Sequence, residues 1–167
     1  MNKIAIIGSG GSGKSTLARQ MGKKRNIPVW HLDRLLWKPN WTPTTKEEQV
    51  TIQTTLVKGE QWIIDGNYNG TMALRLEAAD TIIFLDQSRW ICSYRVFKRM
   101  VTYRNRTRPD MKEGCTERLN LTFLKWIWDY PKKKKPMVLA KLEQLPKDKN
   151  IIILRTRQEV KRFLEST

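Results

Sequence analysis

Residues 8–15 read Gly-Ser-Gly-Gly-Ser-Gly-Lys-Ser, directly behind the apolar run Ile4-Ala5-Ile6-Ile7. The octet satisfies the pattern G-x-x-x-x-G-K-[ST] between a strand and the start of a helix, which is the setting that pattern needs. Its glycines permit backbone conformations closed to other residues, so successive N–H groups can turn inward around phosphate oxygens. Lys14 then reaches the terminal phosphates, the Ser15 hydroxyl is placed to ligate Mg2+, and the helix that follows adds its positive dipole end. Gly8, Ser9, Gly10, Gly11, Ser12, Gly13, Lys14, Ser15 and Thr16 are the expected nucleotide-binding set, with ATP and Mg2+ as the expected ligands.

Five short runs read as buried strands: Lys3–Ile7, Pro28–Leu32, Gln61–Ile64, Thr81–Leu85 and Asn150–Leu154. Near-continuous apolarity, without alternation, is what a parallel strand covered on both faces shows. Between them lie helical stretches at Lys14–Lys24, Thr45–Lys58, Thr71–Ala79, Ser88–Tyr103, Thr116–Asp129, Pro136–Leu145 and Arg157–Glu165. Strand alternating with helix predicts an α/β fold with a doubly wound parallel sheet. Residues 88–145 carry no strand and read as a helical, lid-like excursion.

The 167 residues are the length of one domain. Thirty-two Lys and Arg against 16 Asp and Glu give a net charge of +16, which directs the search to an anionic partner: nucleotide, nucleic acid or membrane surface. Residues 1–83 hold 11 basic and 7 acidic side chains, net +4, while residues 84–167 hold 21 and 9, net +12. That basic C-terminal half is the sequence-level support for nucleic acid as a partner. Two cysteines make no disulfide scaffold, no apolar run is long enough to span a bilayer, and no secretory signal is expected. A cytoplasmic location is expected.

A phosphate loop needs an acidic group at the end of another strand, on the Mg2+ side. Asp65 and Asp86 both follow apolar runs; Gly66 after Asp65 lets the chain turn close to the phosphates, whereas Asp86 also suits the cap of the next helix. Asp33 ends the second predicted strand, where ligands sit in such sheets, and could take a proton from an attacking hydroxyl. His31 alternates with Asp33 along that strand and is expected to be structural. Arg95 and Arg99, four apart on one helix, share a face, and Arg104, Arg106 and Arg108 alternate downstream through a turn-rich segment. Arginines on a mobile lid can neutralise the charge of a transferring phosphoryl group. Trp30, Trp37, Trp41 and Trp62 either pack the insert after the second strand or form a wall over a base or sugar. Lys132–Lys135, after Trp126, Trp128 and Tyr130, either complement the dipole at the end of that helix or bind nucleic acid or an anionic membrane, the first being the simpler reading.

The phosphate loop, HLDRLLWKPNW at 31–41, WIIDGNY at 62–68, ADTIIFLD at 79–86 and RPDMKEGCTERL at 108–119 resemble the bacterial DNA topology modulation proteins over nearly the whole chain. More distantly the chain is similar to adenylate kinase and small-metabolite kinases. The resemblance implies a P-loop NTPase three-layer α/β/α sandwich whose five parallel strands run in the order 2-3-1-4-5. It also implies one kinase-like domain over 1–167, with an acceptor-side insert at about 34–60 and a lid at about 100–135. The implied activity is transfer of the ATP γ-phosphate to a nucleotide or small-molecule acceptor. The alternative is an ATP-dependent nucleic-acid-binding regulator of DNA topology. In the wider kinase group a DG pair ends the strand beside the P-loop strand, which favours Asp65 on the metal side. Lys14, Asp33, Arg95 and Arg99 are the implied catalytic set; Asp33, Arg34, Asp65, Arg75, Arg104 and Arg108 are the implied acceptor contacts. Arg155 falls where those kinases hold the adenine. Adenylate kinases carry Phe-Pro-Arg after the DG pair; Asn67-Tyr68-Asn69 stands here, without the arginine that would meet an acceptor phosphate.

Overall fold

The computed structural model describes residues 1–118 and 120–167. Leu119, which closes the resembling stretch 108–119, lies outside the described residues. Five strands form one parallel sheet: β1 (Lys3–Gly8), β2 (Val29–His31), β5 (Trp62–Asp65), β6 (Thr81–Leu85) and β7 (Asn150–Leu154). Two further short strands, β3 (Trp37–Lys38) and β4 (Thr42–Pro43), pair antiparallel outside it. The spatial order is β2-β5-β1-β6-β7, which is 2-3-1-4-5 when the strands of this sheet alone are counted.

Alternate residues of the central strands face opposite layers, because successive Cβ atoms in a strand point to opposite sides. Ala5, Ile7, Ile64, Ile82 and Phe84 pack on one face with Leu32, Met72, Leu76, Tyr130, Val138 and Leu142. Ile4, Ile6, Ile63, Ile83 and Leu85 pack on the other with Leu17, Ala18, Met21 and Ile27. Apart from Ile27, in the connection to β2, these partners come from α1 (Lys14–Arg25), α2 (Leu32–Leu35), α4 (Met72–Ala78), α6 (Leu121–Lys133) and α7 (Lys135–Glu143), and α8 (Arg157–Ser166) adds Val160, Phe163 and Leu164 at the second face. The result is an α/β/α sandwich.

Local signals set several boundaries. Thr45 and Glu48 form a reciprocal capping box that starts α3 (Lys46–Val57), each side chain satisfying the other residue's backbone N–H. Ser88 caps α5 (Arg89–Thr102), and Asn26, at φ 54°, ends α1 behind Lys23, Lys24 and Arg25.

Two expectations are corrected. The second strand stops at His31 and the chain winds into α2, so Asp33 lies on a helical turn and does not share a strand face with His31. The helix expected at 116–129 begins only at Leu121, with Asn120 accepting the Phe123 N–H at its start, and runs through Pro131 to Lys133. Residues 103–118 form a loop, in keeping with the turn-rich reading of 104–108, with Asn105 and Gly114 at positive φ. The insert folds as α2, the β3–β4 hairpin and α3; Asn40 and Trp41 turn it with φ 61° and 59°.

Candidate active site

Register brings the functional ends of the strands to one edge. Gly8 pairs with Leu85 across β6, Ile6 with Asp65 across β5, and His31 with Asp65 across β2. The loop after β1 therefore opens at the same edge as Asp65 and His31.

The loop is built for close approach. Gly11 sits at φ 74°, and a Cβ there would run into the carbonyl oxygen of Cys92 on α5. Its lysine is already turned inward: Lys14 Nζ donates to the carbonyls of Gly8 at 2.9 Å and Ser9 at 2.8 Å. Burial pulls the Lys14 ammonium below its ordinary pKa, against the opposing pull of Asp33 and Asp65. An incoming phosphate offers that cation a better partner than two neutral carbonyls.

Ser15 Oγ donates to Asp65 Oδ2 at 2.7 Å, and the other carboxylate oxygen bonds His31 Nδ1. Asp86 is taken elsewhere, with Lys135 Nζ at 2.7 Å and Arg155 Nε at 3.6 Å. The donor set at Ser15 fits Mg2+: a hydroxyl and a carboxylate are hard oxygen ligands, to be joined by phosphate oxygens and water. Among the described residues no three His, Cys, Asp or Glu side chains gather into a cage, and a phosphate-bridging Mg2+ does not require one.

A cleft of about 760 Å³ opens in front of the loop, bounded by Gly10, Gly11, Gly13, Lys14, Ser15 and Thr16 on one side. The same cleft is lined by Asp33, Tyr68, Trp37 and Trp41, and α5 with the 103–118 loop supplies Arg95, Arg99, Arg108 and Asp110. Arg95 Nη1 donates to the Ser12 carbonyl at 3.1 Å, bracing α5 against the phosphate loop. Glu117 bridges two arginines, with Arg99 Nε at 3.1 Å and Arg108 Nε at 2.7 Å from its two oxygens. Arg108 also meets Asp110 at 3.2 Å. Burial and the neighbouring Arg108 lower the Arg99 pKa, with Glu117 opposing. Burial disfavours the Asp110 carboxylate, but Arg108, its own backbone, Ser15 and Arg19 together hold its pKa below the ordinary value.

Of the residues expected from sequence, Asp33, Arg95, Arg99 and Arg108 meet the P-loop across this cleft, and Asp65 backs Ser15. Gly8, Ser9 and Ser12 lie behind the loop's inner surface, the two serines buried. Four arginines do not belong to the cleft. Arg75 is fully buried and gives its guanidinium to Gln53 and to the carbonyls of Gly66 at 3.1 Å and Asn67 at 2.9 Å, so it holds the turn after β5 instead of a substrate. Arg34 and Arg104 point into solvent, and Arg155 stands exposed beside Asp86.

No protein-family model and no curated protein matches the chain. Solved structures do. A shikimate kinase from Bacteroides thetaiotaomicron superposes with a TM-score of 0.62 at 15% identity, covering 98% of this chain and 94% of that one. A sugar kinase from Janibacter gives a TM-score of 0.53 at 19% identity, over 98% and 90%. A deoxyadenosine kinase from M. mycoides gives 0.51 at 16%, over 98% and 94%. The fold is that of the P-loop kinases.

Sequence reasoning named Asp33 and the Trp-rich insert but missed the contacts that hold them. The Tyr68 hydroxyl donates to Asp33 Oδ1 at 2.9 Å, and burial followed by the Asp33 charge raises the phenol's pKa. Tyr68 was in view only as part of WIIDGNY. The β3–β4 hairpin also clamps the 103–118 loop: Trp41 Nε1 donates to the Thr116 carbonyl at 2.9 Å and the Asn40 N–H to the Gly114 carbonyl at 3.1 Å. Trp37 and Trp41 meet edge to face with centroids 5.6 Å apart, so these two tryptophans both pack the insert and face the cleft. A tandem Trp-containing insert was the available signal; its partner loop lay about 75 residues away.

Proposed function

We propose that the chain is a Mg·ATP-dependent phosphotransferase, a kinase acting on a nucleotide or small-molecule acceptor bound beside Asp33. The observation that carries this reading is the shared cleft: the phosphate loop, the Asp33–Tyr68 pair and Arg95, Arg99 and Arg108 all line it. Phosphoryl transfer is mainly positioning and charge neutralisation, and this is an arrangement for both.

ATP would lie with its phosphates on the loop from Gly8 to Thr16, drawing Lys14 away from the Gly8 and Ser9 carbonyls. Mg2+ held by Ser15, with Asp65 behind it, would neutralise charge on the phosphate oxygens. For a hydroxyl acceptor, the acceptor oxygen bonds to the γ-phosphorus as the bond from that phosphorus to ADP breaks, and the hydroxyl proton passes to Asp33. Tyr68 steadies Asp33 through one carboxylate oxygen and leaves the other for the acceptor. The loop 103–118, carrying Arg108 and clamped by the hairpin, would keep water from the γ-phosphate.

The sequence resemblance to DNA topology modulation proteins accords with an ATP-binding kinase fold and supplies the finer family reading. Nucleic acid as the main partner is the less supported reading. Arginines gather around the phosphate loop, and two of the clustered lysines are engaged, Lys133 with Asp129 and Lys135 with Asp86. Two buried free cysteines, Cys92 and Cys115, suit the reducing cytoplasm. No described helix is long and apolar enough to cross a membrane.

Titration calorimetry with ATP and Mg2+ tests the nucleotide site: Lys14→Ala should abolish tight binding, and unchanged binding would sink the assignment. Labelled ATP offered with nucleosides, nucleotides and sugars tests the transfer. Turnover should rise with the true acceptor; equal hydrolysis with and without every candidate rejects a kinase.

A further inference from the structure

The outer face of α5 is apolar and exposed among the described residues. Trp90, Tyr94, Phe97 and Val101 are 67%, 65%, 55% and 60% exposed, far above what isolated core residues would tolerate. On the adjoining α6, Leu121 is 71% exposed, and Trp128, 37% exposed, packs edge to face on Trp90 with centroids 4.6 Å apart. Arg95 and Arg99 occupy the far side of α5, toward the cleft. The exposed stripe therefore plays no part in binding the phosphates.

We infer that this face is the interface of a two-fold homodimer, packed α5 against α5. The spacing is the first argument. Positions 90, 94, 97 and 101 follow one another by four, three and four residues, the a/d interval of helices that pack along a narrow seam. A helix lying on a membrane needs a broader apolar face. The area is the second argument. With a large side chain taken as roughly 200 Å², the six residues expose roughly 700 Å². That exceeds the patches usual on monomers and approaches the roughly 800 Å² per partner of a standard interface.

The seam is its own complement. An antiparallel two-fold sets Tyr94 of one copy against Phe97 of the other and Trp90 against Val101, since a two-fold interface uses the same patch twice. The four α5 positions of the stripe are uncharged; Lys98 and Lys125 stand at its rim, where long stems keep their ammonium groups in water, and the Arg89 guanidinium lies over the Trp128 ring 4.3 Å from its centroid. Two chains of +16 repel, so the dimer tightens as salt screens them. Attachment to nucleic acid or an anionic bilayer would weaken with salt instead.

Sedimentation velocity of the full chain at micromolar concentrations, in about 0.1 M and 0.5 M salt, decides the matter. A species of twice 19.7 kDa, more populated at high salt, is expected. Phe97→Lys should shift the dimer dissociation constant at least about 100-fold upward and Phe97→Leu should restore association, while all three chains should melt alike at concentrations low enough to dissociate the wild-type dimer, because the side chain is exposed. A monomer at both salt concentrations overturns the inference. So does a dimer indifferent to Phe97→Lys, or a monomer held only by phosphatidylserine vesicles or single-stranded DNA.

Discussion

Ser15 Oγ and Asp65 Oδ2 lie 2.7 Å apart, joining the helix that follows β1 to the carboxyl end of β5. The same carboxylate is steadied from β2 by His31. A side chain that orients a metal-binding hydroxyl is worth roughly 10- to 100-fold in metal affinity or activity. Asp65→Asn should therefore raise the Mg2+ concentration needed for ATP binding by about that factor. Asp86→Asn, which loses only Lys135 and Arg155, should leave the Mg2+ titration where it was. Equal effects of the two variants would remove Asp65 from the metal side.

Arg75 should behave as a stability residue. Its guanidinium is fully buried and spans Gln53 and two backbone carbonyls, while burial draws its pKa down to about 10. Arg75→Met leaves those acceptors unpaired, a loss of roughly 3 kcal/mol. For a chain of this size that lowers Tm by roughly 6–12 °C. Below the melt, ATP affinity should stay within about twofold of wild type. Normal Tm with impaired acceptor binding would return Arg75 to the substrate.

Glu117→Gln should loosen the 103–118 loop. Arg99 and Arg108 would then approach one another without the carboxylate between them, and removing one partner of a buried ion pair costs about 3–5 kcal/mol. Limited proteolysis should cut first within 103–118, and ATP should protect less than it does in the wild type. An unchanged cleavage pattern would show that Glu117 does not hold the loop.

Asp110 should contribute to acid sensitivity. Its native pKa lies below the ordinary 3.8, so an unfolded chain takes up the proton first as pH falls. Its stabilising contribution is complete above pH 3.8 and is lost as pH drops through the lower native value. Melting temperatures measured between about pH 5 and pH 2.5 should fall less steeply for Asp110→Asn than for the wild type. Parallel curves would mean Asp110 carries no native-state shift.

The phosphate loop, the five sheet strands, the Asp65-Gly66 turn and the pairing of Arg95 with Arg99 on one helix were all legible in the amino-acid sequence. Each depends on local backbone chemistry or on spacing within one element: glycines where the chain must turn around an anion, apolar runs where a strand is covered twice, residues four apart on a helix. Only the tertiary structure decided the use of the remaining charges. Arg75 and Arg108 look alike in a sequence, yet one is sealed beneath the turn after β5 and the other faces the cleft between Glu117 and Asp110. Tyr68 finds Asp33 across 35 residues, and Trp41 reaches Thr116 across 75. Burial and partnership set what a polar side chain does, and both are properties of the packed chain, fixed by contacts that no local pattern records.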